Sequence, residues 1–192
     1  MSRDLAERRG LETDVYGAAE DSRLLAEAAI EPIEPEWVVL DCGTGSGYVG
    51  EHVASETGAR VVASDLNPHA CRRARERGLE TARADLIAPF RSDVFDAVCF
   101  NPPYLPTDPE NEWDDWMEVA LSGGESGRAV IDPFLDGVER VLAPGGVVLL
   151  LVSSLAGFES VVERAEKRGF DPAVVAEESF PFETLTVLKL CR

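Results

Sequence analysis

The chain has 192 residues and carries 36 Asp and Glu against 18 Lys and Arg, a formal charge of −18. That length fits one domain with a sizeable core. The charge argues against a direct nucleic-acid partner, because phosphate binding needs clustered Lys and Arg. Lysine occurs only at Lys167 and Lys189, so arginine supplies nearly all the positive charge. Abundant carboxylates with so little lysine are the surface expected of a protein from a halophilic cell, where hydrated acids resist association in concentrated salt. An acidic docking surface is the other reading of the same composition.

Four cysteines (Cys42, Cys71, Cys99 and Cys191) lie far apart without a C-x-x-C spacing, and His52 and His69 are the only histidines. No metal site is readable from them; reduced, mostly buried thiols in a cytoplasmic protein are expected. No signal peptide is evident, and no apolar run reaches the ~20 residues of a membrane span.

In chain order, "EDSRLLAEAAI" (20–30) has helical spacing, with Asp21 or Ser22 able to cap it. Two prolines in "EPIEPE" break the chain before "WVVLD" (37–41), a short β-rich run followed by a glycine turn and a helix to about Glu56. "RVVASD" (60–65) reads as the next strand, and "PHACRRARERG" as a helix opened by Pro68 and closed by Gly78. A weak strand near Thr81–Ala84 and a strong one, "FDAVCF" (95–100), follow. After a long loop to about Gly127 come a helix in "RAVIDPFLDGVERVL", a buried strand in "GGVVLLLVSS" and a helix in "FESVVERAEKRG". Two strands near "AVVAEE" and "TLTVLKL" finish the chain. Pro133 and Gly137 make the start and middle of the first of those helices uncertain. Apolar strands alternating with helices predict an α/β sandwich with a mostly parallel, seven-stranded, Rossmann-like sheet in a single domain over 1–192. The last two strands have no helix between them and should pair antiparallel.

"LDCGTGSGYVG" places Gly43, Gly45 and Gly47 between the first strand and its helix, where bare backbone lets a ligand approach the helix N-terminus. Glycine alone is a weak signal, since a tight turn needs it for steric reasons. Asp65 ends the second strand roughly 20 residues on, where an acid accepts both hydroxyls of a ribose; an N-cap for the helix at Pro68 is the structural alternative. A dinucleotide fingerprint would be crowded by Tyr48 and Val49, and the absence of G-K-[ST] excludes a P-loop. With Asp41 leading it, D-x-G-x-G-x-G resembles motif I of class I methyltransferases that use S-adenosylmethionine. That resemblance implies Asp41 near the cationic methionine end, Leu66 beside the Asp65 contact, and Asp85 on the adenine amino group with Leu86 next to it. Asp85 could equally be a surface acid.

"NPPY" (Asn101, Pro102, Pro103, Tyr104) leaves the fourth strand at the carboxyl edge of the sheet, where open α/β sheets do their chemistry. A planar, weakly nucleophilic nitrogen bound there presents two N–H groups. The Asn101 side-chain oxygen can accept one and the Pro102 carbonyl the other, and prolines at both following positions fix that carbonyl and add no competing donor. Tyr104 offers a flat ring to the substrate. A plain proline turn would not call for all four residues.

[DNS]-P-P-[YFW] after strand four occurs in methyltransferases of adenine amino groups, guanine N2 and glutamine side-chain amides. The stretches "VYGAAEDSRLL", "LDCGTGSG", "SDLNP", "ADLIAPF", "FNPPYLPT", "LSGGESGRAVIDPFL" and "ETLTVLKL" together resemble the eukaryotic and archaeal branch of the HemK-type release-factor glutamine methyltransferases from Val15 onward. The resemblance implies S-adenosylmethionine as cofactor and the glutamine of the Gly-Gly-Gln loop of a class-1 release factor as substrate. It also implies a segment within residues 1–36, including Tyr16, Asp21 and Ser22, that closes over the cofactor. Gly17-Ala18-Ala19 stand where the family usually has a proline, which weakens the case for Tyr16, Asp21 and Ser22. Bacterial members carry a helical domain before the sheet. About 36 residues precede Trp37 here, so help from another protein is expected. The resemblance implies a small zinc-binding activator subunit that adds a strand-like segment beside the third strand, for which "TARAD" offers an edge. A nucleic-acid amino methyltransferase, or a non-catalytic scaffold that kept the fold, are the rival readings. The acidic stretch "DPENEWDDWMEVALSGGESG" forms either a cleft wall or a solvated loop.

Overall fold

The computed structural model describes residues 20–107 and 120–192. Tyr16 and most of the acidic tryptophan-containing stretch fall outside these residues.

The first element, α1 (Glu20–Ile30), buries Leu25, Ala26 and Ala29 on one stripe. Helix already includes Glu20, so Asp21 and Ser22 sit inside its first turn rather than capping it as the sequence suggested. The next four elements are β1 (Val38–Cys42), α2 (Tyr48–Thr57), β2 (Arg60–Asp65) and α3 (Pro68–Glu76). They follow the predicted alternation within a residue or two. Helix α3 is capped by Asn67, whose side chain accepts from the His69 N–H at 2.9 Å, with Pro68 supplying a first-turn φ and no unpaired donor. The N-cap considered for Asp65 therefore belongs to Asn67.

The short strand β3 (Glu80–Arg83) is half exposed, and β4 (Phe95–Phe100) is almost wholly buried. The helix predicted over 128–142 is shorter than its pattern: α4 (Ile131–Gly137) passes into a 3₁₀ turn at Val138–Val141. Pro133 is tolerated because it lies in the first turn, where its missing N–H has no intrahelical partner. Strand β5 (Leu142–Ser153) starts earlier than expected; the register shift against β4 between Phe95 and Ala97 absorbs Pro144, Gly145 and Gly146. Helix α5 (Phe158–Lys167) and the long strands β6 (Asp171–Ser179) and β7 (Thr184–Cys191) complete the order.

The seven strands form one sheet in the order β3-β2-β1-β4-β5-β7-β6. β1 pairs in parallel with β2 and β4, and β7 runs antiparallel between β5 and β6. A hairpin can join antiparallel neighbours without a crossover helix, which is why two helix-free terminal strands end this way. Central strands read as continuous apolar runs because both faces are covered: Ala97 to Phe100 and Val148 to Val152 are at most 1 % exposed. Strand order reverses between β1 and β4, and ligands of open α/β sheets bind at the carboxyl ends beside such a switch. Among the described residues no helix is long and apolar enough to cross a membrane.

Candidate active site

A cavity of about 210 Å³ opens at that switch point. Its walls include Asp41, Gly43, Gly45, Asp65, Leu66, Asp85 and Leu86 from the β1–β3 side, and Asn101 to Tyr104 from β4. Asp21 and Ser22 of α1 close the same cavity from above the β4 end. Every predicted site residue among the described ones therefore lines this cavity, except Gly47.

Gly47 is buried in the turn itself. With φ of +82°, a side chain there would be strained, and a Cβ would stand 3.1 Å from the Ala74 Cα. The turn curls back on β2: the Gly45 N–H donates to Asp65 Oδ2 at 2.9 Å, and the Asn67 N–H donates to Asp65 Oδ1 at 2.8 Å. Each oxygen of Asp65 is thus held from one side, and a carboxylate oxygen accepts more than one bond. Burial raises the Asp65 pKa, and the N–H groups of Asn67, Gly45 and Leu66 oppose that rise.

Asp41 is 3 % exposed. Its Oδ2 accepts from Thr44 Oγ1 at 2.5 Å and from the Gly50 N–H at 2.9 Å. Loss of solvation dominates and pushes its pKa up to about 6, against the lowering effect of those two bonds. Gly50 is required by this packing, since a Cβ would approach Asp41 Oδ2 to 2.8 Å. Thr44 and Gly50 were not singled out from sequence, although both lie in the quoted glycine turn and its helix. Asn67 was likewise missed, though Asn before Pro at a helix start is a readable cap signal.

Leu86, in the turn after β3, has φ of +47°, a left-handed backbone uncommon for a residue with a side chain. Strain of this kind gathers at ligand sites. Asp85 beside it is exposed at the cavity rim, as Leu66 is on the opposite turn.

At the end of β4, Pro102 and Tyr104 are buried and Asn101 is partly buried. The Asn101 Nδ2 donates to Ser22 Oγ at 3.2 Å. Its Oδ1 is buried and has no hydrogen-bond partner among the described residues. A buried carbonyl oxygen without a donor is costly unless something is bound against it. Tyr104 differs from the sequence expectation. Its hydroxyl donates to Asp21 Oδ2 at 3.4 Å and the side chain is only 4 % exposed, so the phenol bridges to α1 as well as walling the cavity.

Around the cavity stand four carboxylates (Asp21, Asp41, Asp65 and Asp85), together with the Asn101 amide and apolar side chains. Two of the four, Asp41 and Asp65, accept from backbone N–H groups as described above. Neither lysine of the chain lies among them. Such a donor set suits a cationic adenosyl amino acid with ribose hydroxyls and disfavours phosphates.

Comparisons with known proteins agree with this chemistry. The family described as Methyltransferase domain matches residues 39–124. MJ0928 of Methanocaldococcus jannaschii, named for protein N5-glutamine methyltransferase activity, is 34 % identical over 95 % of this chain and 94 % of its own length. Human methyltransferase HEMK2 is 32 % identical, covering 96 % and 92 %. Among solved structures, the E. cuniculi Mtq2–Trm112 complex, responsible for methylation of the eRF1 termination factor, superposes with TM-score 0.78. It is 32 % identical, with 94 % of this chain and 99 % of that one covered. The chain belongs to the HemK-type protein-glutamine methyltransferases, in their eukaryotic and archaeal branch, and is a class I S-adenosylmethionine-dependent enzyme.

Proposed function

We propose that this chain methylates the side-chain amide nitrogen (N5) of the glutamine in the Gly-Gly-Gln loop of a class-1 release factor. The observation that carries the reading is Asn101 Oδ1 at the end of β4, buried beside the cavity and without a hydrogen-bond partner among the described residues. The cofactor, when bound, supplies an electrophilic methyl group on a sulfonium.

The chain's residues bind and orient. Asp65 takes the ribose hydroxyls with the lone pairs left by Gly45 and Asn67. Asp85 and Leu86 face the adenine, and Asp41, Asp21 and Ser22 face the methionine end, with α1 and the segment before it as the cover. Asn101 Oδ1 and the Pro102 carbonyl accept the two amide N–H groups, with Pro103 and Tyr104 as walls. Transfer forms an N–C bond and breaks the S–C bond, and the nitrogen then sheds one proton. As that nitrogen gains positive charge its N–H groups become stronger donors, so the acceptor pair gains more in the transition state than in the ground state.

We also place a small partner subunit beside β3, acting in the cytoplasm with this chain as a heterodimer, by analogy with the Trm112 subunit of the neighbouring complex. The support is an edge strand of four residues that pairs only with β2 among the described residues. Residues 72–83 add five arginines (Arg72, Arg73, Arg75, Arg77 and Arg83) in a chain of charge −18. Labelled-methyl transfer from S-adenosylmethionine to purified release factor, with and without a Gly-Gly-Gln glutamine→Ala change, tests the substrate. Label that persists in the altered factor, or appears only on nucleic acid, refutes it. Co-expression with the partner should raise solubility or turnover; a lone chain already fully active counts against the heterodimer.

A further inference from the structure

The stretch "LSGGESGR" (121–128) reaches the site without entering the chemistry proposed for it. Leu105, just past Tyr104, donates its N–H to the Leu121 carbonyl at 3.0 Å and accepts from the Gly123 N–H at 2.8 Å. Leu105 and Ser122 form a parallel β-bridge. The Thr107 N–H donates to the Gly124 carbonyl at 3.1 Å, and the Thr107 and Ser122 hydroxyls lie 2.6 Å apart. Two glycines of the turn are buried against each other and against the motif. A Cβ on Gly127 would stand 2.7 Å from the Tyr104 carbonyl oxygen and 3.0 Å from the Ala156 Cα, at φ of +71°. A Cβ on Gly123 would collide with Gly127 at 2.6 Å. Arg128 then fastens the far end of the turn, donating through one guanidinium nitrogen to the Ala156 carbonyl at 2.6 Å.

We infer that the 121–128 turn is a strut that aims the Pro102 carbonyl, with Gly127 and Arg128 as positioning residues for methyl transfer. This inference rests on the glutamine reading above. The Pro102 and Pro103 rings fix two φ angles, but ψ at each still has to be set from outside. β4 fixes the segment on the Asn101 side. The contact of Gly127 with the Tyr104 carbonyl and the Leu105 pairing fix it on the other. The bare α-carbon of Gly127 is what allows the strut to touch Tyr104, and Arg128 keeps that α-carbon pressed in place from the loop after β5.

The test uses the full chain with its partner and three variants: Gly127→Ala, Arg128→Gln and Gly169→Ala. Gly169 also has a positive φ, +86°, but follows α5 and lies outside the cavity walls, so it reports backbone strain alone. Gly127→Ala should lower kcat on the release factor by about 10- to 100-fold, as sub-ångström to ångström misplacement of a reacting group does. Its Kd for S-adenosylhomocysteine should stay within about threefold of the parent's, as expected for a variant that displaces only the substrate-facing carbonyl. Arg128→Gln should show the same split more weakly, and Gly169→Ala should keep its kcat. Amide hydrogen exchange at Leu105, Thr107 and Gly123 should quicken in the first two variants and not in the third. Unchanged kcat in both strut variants, or loss of cofactor affinity in step with turnover, would overturn the strut. A parent inactive on glutamine would count against the substrate reading, and unchanged exchange at Leu105 would then still overturn the strut. If Gly127→Ala fails to fold, Arg128→Gln decides by the same two readouts.

Discussion

Asn101 reaches across 79 positions of sequence to donate its Nδ2–H to Ser22 Oγ at 3.2 Å. The other end of the amide, Oδ1, is buried without a partner among the described residues, and Asn101 is one of the cavity's lining residues. Asn101→Ala should therefore leave the fold and most cofactor affinity intact and lower kcat by roughly 10²–10³. Ser22→Ala removes the Asn101 contact together with a hydroxyl at the cavity wall. Its kcat should fall by about 2- to 10-fold, the scale of one neutral hydrogen bond, and a rise in the Kd for S-adenosylhomocysteine would report its part in holding the methionine end. Steady-state methyl transfer with calorimetry of S-adenosylhomocysteine measures both. Near-native turnover in Asn101→Ala would remove the acceptor role from the motif.

Asp65 should separate from Asn101 in the opposite direction. Its two oxygens hold the Gly45 and Asn67 N–H groups and face the cavity, so Asp65→Ala loosens the glycine turn and loses the ribose acceptor together. The Kd for S-adenosylhomocysteine should rise by about 10- to 100-fold, the range for bonds to a charged acceptor. At saturating cofactor, kcat should change by less than about threefold. A Kd unchanged in calorimetry, or NAD binding in its place, would refute the ribose assignment.

Asp41 makes the empty enzyme sensitive to pH. Its pKa in the fold, about 6, lies above the unfolded value of 3.8, so the folded chain holds this proton to higher pH. The contribution to stability is full below about pH 4 and is lost as pH rises through about 6. The whole loss is about 3 kcal/mol at 1.36 kcal/mol per pKa unit. A cationic ligand beside Asp41 favours the carboxylate, so binding should release a proton and tighten between pH 5 and 7. Asp41→Asn should flatten the pH dependence of Tm and of binding in that window. Calorimetry at pH 5.5 in buffers of different ionisation enthalpy counts the proton, and no buffer dependence would contradict the placement of the cation.

The surface charge predicts a response to salt. At −18, self-repulsion opposes the compact state, and screening shortens to about 3 Å at 1 M ionic strength. Tm should climb as KCl is raised from 0.1 to 2 M, although surface pairs such as Arg60–Glu80 and Lys167–Glu163 weaken over the same range. A scanning-calorimetry series that shows a flat or falling Tm would show that the acids serve docking rather than salt tolerance.

The sequence by itself determined the sheet and the position of its chemistry. Short, largely apolar and β-branched runs in "WVVLD", "FDAVCF" and "GGVVLLLVSS" read as strands covered on both faces, and the turn residues after β1 and β4 mark the carboxyl edge. Local signals also singled out the glycine turn, Asp65 and the Asn101 that precedes two prolines, and the resemblance added Asp41; all of them line the cavity or its turn. Tertiary structure alone decided three further things. It set Asn101 against Ser22 and Tyr104 against Asp21, contacts between segments about 80 positions apart that no periodicity records. It assigned the cap of α3 to Asn67 and left Asp65 to bind Gly45, a choice between neighbours with nearly equal intrinsic preference. It also pressed Gly127 onto the Tyr104 carbonyl, where the need for glycine comes from an atom 23 residues away. Pattern along a chain reports which face a residue presents; which residue it meets there depends on how the elements pack.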